Sequence, residues 1–328
     1  MSVWRCAPIV AVLSAASTAG AAGLLAFSGL VDGNREIFLV NDDGTNLVNI
    51  TRNKAFDDQP VWSPDGTQIA FSSERQGTLD IWVMNADGSK PRQVTDLPGD
   101  ETDPTWSPDG RRLAFTGNAE GNMEVYVVFA QGGQPVNITK HESSDFGPLW
   151  GPLGDLIAFN TDRPTFQDVW VTTPEGQQTR SVSAHEAFDK LTDWSPDGRY
   201  VLFTSHRDGN IEGYLARVAD GVLWNVTQSP AWDDDPVFAP DGVRFAFDSM
   251  RTGDREVLVG FFTGQAAVNL SNSPGRDYGP EWSPDGQKIA FLSDRTGDPE
   301  VWVANPDGTG SVRLSQTRGE ERGIAWRP

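Results

Sequence analysis

An acidic residue recurs every 44 residues along this chain, at Asp57, Glu101, Asp145, Asp189, Asp233, Asp277 and Glu321. An arginine stands 18 residues after each of the five aspartates, which gives Asp57 with Arg75, Asp145 with Arg163, Asp189 with Arg207, Asp233 with Arg251 and Asp277 with Arg295. Two chemistries suit such a set. A ring of carboxylates at a channel mouth would attract cations, whereas an ion pair inside each unit would tie two loops together. The fixed spacing favours the ion pair. The two units that carry glutamate are also the two without the arginine, with Ala119 in one place and Val31 in the other if the chain ends join. The expectation is therefore five structural clasps. Removing one partner of a desolvated pair costs about 3–5 kcal/mol, against at most about 1 kcal/mol for an exposed pair.

The acidic runs beside this ring, Asp57-Asp58, Asp100-Glu101 with Asp103, and Asp233-Asp234-Asp235, are weak calcium candidates. Calcium takes about six to eight converging oxygens, and one tripeptide cannot supply them. No cofactor is expected, and a cation such as calcium is the one ligand these loops leave open. Three histidines occur: His141 and His185 at the same position of adjacent units, each followed by a glutamate (Glu142 and Glu186), and His206. Ligands of one metal ion must all lie within about 2.0–2.2 Å of it, and equivalent positions of neighbouring units diverge too far for that. No catalytic or metal-binding residues are assigned. A G-x-S-x-G nucleophile elbow is absent, which removes the serine-hydrolase reading.

Departures from the repeat are more informative than the repeat, because residues shared by every unit are explained by the unit itself. One residue before each recurring acid stand Phe56, Phe188 and Trp232, where other units carry Asp100, Ser144, Arg276 and Glu320. Exposed aromatics beside acids suit a peptide, a basic protein patch or a sugar. Phe56, Phe188, Trp232, Asp233, Asp234 and Asp235 are therefore the expected partner-binding residues.

These residues need a scaffold, and the period supplies it. Trp62, Trp106, Trp150, Trp194, Phe238, Trp282 and Trp326 are 44 residues apart without a slip, and apolar triplets such as Ile69-Ala70-Phe71 follow in phase. Each unit reads as four short strands. Ser63-Pro64-Asp65-Gly66 has the residues of a type I turn, and Asn85-Ala86-Asp87-Gly88 marks a second hairpin. Four strands in roughly 40–45 residues are the mark of a propeller blade. The expected fold is all-β, a seven-bladed propeller. Its last strand, ending at Trp326, completes the blade begun by Leu24-Leu25-Ala26-Phe27. Four N-x-[ST] triplets, at Asn49, Asn137, Asn225 and Asn269, fall in phase on the fourth strand, so the repeat accounts for them.

The chain has 328 residues and a net charge of −20, which argues against nucleic acid as a partner. Residues 1–21, with Arg5, a short apolar run and Ala19-Gly20-Ala21, read as a secretory signal peptide, followed by the propeller at 22–328. Cys6 is the only cysteine, so disulfides are excluded.

The run from Asp57 to Gly66 with Ile69-Ala70-Phe71 and Ser73 to Arg75, repeated from Asp277 to Arg295, resembles the TolB-type, WD-repeat-like β-propeller repeat. The resemblance spans nearly all of the chain after residue 21. It implies a non-catalytic docking scaffold for an envelope protein or peptide, periplasmic or secreted, soluble and monomeric. The α/β domain that precedes the blades of TolB itself has no counterpart here, so the chain is read as TolB-like only. The alternative it implies is a carbohydrate-active or metal-dependent enzyme, similar to the oligogalacturonate lyases, with a site at the channel mouth.

Overall fold

The computed structural model describes residues 23–317 and 319–328; the expected leader at 1–21, with Cys6, lies outside them. Twenty-eight strands and no helix occur among the described residues, arranged as seven four-stranded antiparallel sheets. In the blade that opens with Asp57 the strands are Asp57–Trp62, Gln68–Ser73, Asp80–Asn85 and Arg92–Gln93, in sequential order. We name each blade by the acid that opens its inner strand.

The Ser-Pro-Asp-Gly turn closes the first hairpin by chemistry local to it. The Ser63 hydroxyl donates to Asp65 at 2.6 Å and accepts the Gln68 amide at 2.9 Å, while the Gly66 amide donates to the Ser63 carbonyl at 2.8 Å. Gly66 sits at φ 64°, in the left-handed region. Ser107 with Asp109, Ser195 with Asp197 and Ser283 with Asp285 repeat the hydroxyl-to-carboxylate bond.

The ring closes as the period requires. The last strand, Arg322–Trp326, pairs antiparallel with Leu24–Val31, matching Leu25 with Trp326 and Ala26 with Ala325. This Glu321 blade thus combines both chain ends.

Neighbouring blades are joined by buried faces and by the tryptophans of the inner strands. Phe27, Phe71, Phe115, Phe159, Phe203, Phe247 and Phe291 occupy one phase, and all are buried. Fully burying a side chain of this size contributes roughly 1.5–3 kcal/mol. The indole of Trp62 donates to the Ala325 carbonyl at 3.2 Å, Trp106 to Val61 at 3.2 Å, Trp194 to Leu149 at 3.0 Å and Trp326 to Glu281 at 3.0 Å. Each bond reaches the inner strand of the preceding blade. Phe238 cannot make it, and Phe262 packs on it instead, with ring centroids 5.1 Å apart.

Candidate functional site

At one end of the propeller lie the starts of the inner strands and the loops joining second to third strands. There Arg75 meets Asp57 at 2.9 and 3.2 Å, and Arg163 meets Asp145 at 2.6 and 3.2 Å, both bidentate. Arg207 meets Asp189 at 2.8 Å and Arg295 meets Asp277 at 3.0 Å; the second nitrogen of each bonds a serine, Ser205 or Ser293. Arg251 pairs with Asp233. All five aspartates are buried, so none of them lines a cation-attracting mouth.

A third partner completes four of the pairs. The guanidinium of Arg75 lies 5.3 Å from the ring of Trp82, Arg163 4.9 Å from Trp170, Arg207 4.7 Å from Tyr214 and Arg295 4.3 Å from Trp302. A cation over an aromatic face is attracted by the ring quadrupole, most strongly where water is excluded.

The two glutamate blades solve the missing arginine differently. Glu321 accepts bonds from the Thr317 hydroxyl at 2.6 Å, the Val301 amide at 2.8 Å and the Ser315 hydroxyl. Glu101 faces the Asp80 carboxyl; both are buried, and neither has a well-aligned donor. Burial, with Asp80 alongside, pushes the Glu101 carboxyl up to about 8. Gly117 replaces the serine or threonine of the clasped blades. A Cβ there would meet the Tyr126 ring at 3.1 Å, so that ring takes the room of the serine or threonine side chain of the clasped blades.

The aromatics singled out by the sequence fall into two groups. Trp232 is 60% exposed and Phe188 is 39% exposed, while Phe56 is half-buried with the Arg322 guanidinium 6.0 Å from its ring. Phe188 meets His206 edge to face at 5.4 Å. Met123, Phe166 and Met250, which the sequence reading did not mark, are also exposed at this end. Exposed acids, among them Glu74, Asp100, Glu120, Glu142, Glu186 and Asp254, surround them. The acidic run divides: Asp233 is buried in its clasp, the Asp234 carboxylate accepts the Thr204 hydroxyl at 2.7 Å, and Asp235 pairs with Lys190.

The central channel holds a cavity of about 650 Å³, bordered by Gln59, Asp103, Leu191, Thr192 and Glu281. Most inner strands bulge here through a left-handed residue, Gln59 at φ 56°, Asp103 at 54° and Asp235 at 48°. In the Asp189 blade that phase is Leu191, and the register shift moves on to lie between Leu191 and Asp193. A bulky side chain is costly in the left-handed region, so the bulge is displaced. Asp193 then accepts the amides of Trp194 and Phe238, each at 2.7 Å, and links two blades. Burial raises its carboxyl to about 7. Glu281 borders the same cavity with its side chain exposed to it; crowding by the channel walls, then Asp193 and Asp235, push its carboxyl up.

With this geometry in place, relatives can be judged by fold and repeat together. The family description "TolB beta propeller domain" matches residues 21–97, 90–190 and 193–326. The chain belongs to the TolB β-propeller family. No protein of curated function matches it. Among solved structures, a putative TolB from Agrobacterium tumefaciens is similar at 24% identity and TM-score 0.58, covering 73% of this chain and 94% of its own. TolB from Acinetobacter baumannii is similar at 17% identity and TM-score 0.61, covering 93% and 82%. An oligogalacturonate lyase in complex with manganese is similar at 18% identity and TM-score 0.70, covering 86% and 85%. At these identities the likeness is one of fold.

No group of three or more His, Cys, Asp or Glu side chains placed to hold an ion occurs among the described residues. His141 Nδ1 accepts the Ser143 amide at 3.0 Å, and His206 is engaged with Phe188. No helix among these residues is long and apolar enough to cross a membrane. The rings over the arginines were within reach of sequence reasoning, because Trp82, Trp170, Tyr214 and Trp302 share the 44-residue phase. Asp193 and Glu281 also share one phase, but the facing residues of that phase include Val61, Leu149, Val237 and Ala325, which hide the signal.

Proposed function

We propose that this TolB-family propeller is a non-catalytic docking scaffold for another protein or peptide, and that its contact face is the clasp-bearing end. The observation that carries the reading is the exposure of Trp232 and Phe188 on adjacent blades of that end. Large aromatics left in water beside carboxylates lose free energy unless a partner covers them, and such residues dominate binding energy at interfaces. The clasps immobilise the loops that present them, which lowers the ordering cost of association. The partner surface is apolar at its centre and basic at its edge, complementary to Glu186 and Asp254.

The leader-like segment at 1–21 supports export, with action in the periplasm or outside the cell. Crosslinked capture from the envelope fraction of the source cell tests the role, with wild type compared against the Phe188→Ala, Trp232→Ala double variant. One dominant partner lost in the double variant is the expected result. An unchanged set of captured proteins, with the variant still folded, overturns the reading.

A further inference from the structure

Between the Asp189 and Asp233 blades lies a cavity of about 530 Å³, apart from the channel and walled partly by Trp224, Phe245, Phe247, Arg251, Gly260 and Phe262. The repeat shows where its space comes from. On the third strand six blades carry Phe38, Trp82, Tyr126, Trp170, Tyr214 and Trp302, but the Asp233 blade has Leu258. Two residues on, where the others have Val40, Met84, Val128, Thr172, Ala216 and Ala304, it has Gly260. Across the seam Gly213 stands in the phase of Ile37, Ile81, Val125, Val169, Val257 and Val301. Leu258 and Gly260 reduce side-chain volume on the Asp233 side of the seam, whereas the room beside Gly213 is filled by Thr227 and Pro236.

Three other changes build walls around that space. Phe245 replaces the Leu, Ile or Val of its phase, Phe262 replaces a smaller residue, and Trp224 stands where the other blades have Val or Arg. Phe245 depends on Gly260, since a Cβ there would lie 2.4 Å from the Phe245 ring. Phe262 packs on Phe245 at 4.8 Å, and Phe247 on Phe245 at 5.3 Å. The result is an aromatic cup and not a collapsed seam. Its size falls within the roughly 300–1,000 Å³ of small-molecule pockets.

Arg251 shows what the cup lacks. Its guanidinium lies 5.1 Å from Phe247 and has no third-strand ring over it. Its side chain is 27% exposed, against 8–14% for the clasp arginines Arg75, Arg163, Arg207 and Arg295. Asp233 satisfies its charge, but its open face has no π partner.

We propose that this cup binds a small molecule with a planar aromatic ring, which takes the place of the missing third-strand aromatic and stacks on the open face of Arg251. Trp224 and Phe262 contact the ring, and Gln265 offers hydrogen bonds to a polar substituent. Neither Phe188 nor Trp232 lines the cup, so each reading has its own variants and either can fail alone.

Indole, the side-chain ring that Trp82, Trp170 and Trp302 supply in this phase, is the probe. Added to the full chain it raises the melting temperature saturably. Leu258→Trp, which restores the repeat, melts higher than wild type by itself and no longer responds. Trp224→Ala, on the wall and outside every clasp, weakens the indole response at least several-fold in a folded protein and stands as the test if Leu258→Trp fails to fold. Absence of a saturable shift in wild type, or an undiminished shift in the folded variants, overturns the proposal.

Discussion

Arg207 reaches Asp189 at 2.8 Å across the 18 residues that separate them, with its guanidinium 4.7 Å from the Tyr214 ring and the aspartate fully buried. A charge so placed cannot lose its partner cheaply. Replacing either residue with alanine should destabilise the protein by about 3–5 kcal/mol, because the other charge is left buried and unpaired. A double-mutant cycle on Asp189→Ala and Arg207→Ala, read by urea unfolding, should return a large coupling energy. A coupling near zero would remove the clasp from the account of stability.

The Glu101 blade makes the opposite prediction about pH. Burial and Asp80 raise the Glu101 carboxyl to about 8, so between its ordinary range and that value the folded chain holds a proton that the unfolded chain releases. Stability therefore falls as pH rises through this window and levels off above it. Asp193, raised to about 7, adds the same sign. Glu101→Gln keeps the shape and removes the titration, so its melting temperature should fall less steeply between pH 5 and 8. Parallel curves for variant and wild type would exclude Glu101 as a source of the slope.

Closure of the ring depends on one short strand. Removing residues 323–328 takes away the pairing of Trp326 with Leu25, the buried Ile324 and the indole bond to Glu281. Loss of one large core side chain typically costs about 3–5 kcal/mol, and this deletion removes more than one. Circular dichroism should show a much lower melting temperature. An unshifted melt would mean that the blade is held without its last strand.

The proposed contact residues should separate binding from stability. Phe188 and Trp232 are exposed, and surface substitutions away from buried features usually change stability by no more than about 0.5 kcal/mol. The double alanine variant should therefore melt close to wild type while losing its partner. A drop of several kcal/mol would identify the two rings as packing elements of the loops.

Much of this molecule could be read from its repeat. A 44-residue phase without slips makes residues of the same phase structurally equivalent, so strand count, blade count, turn chemistry and the joining of the two chain ends follow from the sequence alone. The Asp-to-Arg spacing belongs to the same level, because both partners lie in one blade. The phase says nothing about what stands across a seam or across the channel. Only the tertiary structure put Asp80 against Glu101, set Asp193 against the Phe238 amide of the next blade, and brought Glu281 to the channel cavity near Asp193. It also set Trp224 of one blade and Phe245, Gly260 and Phe262 of the next around one cup that reaches Arg251. Burial and charge proximity act through space, and neither is encoded in spacing along the chain until the ring has closed.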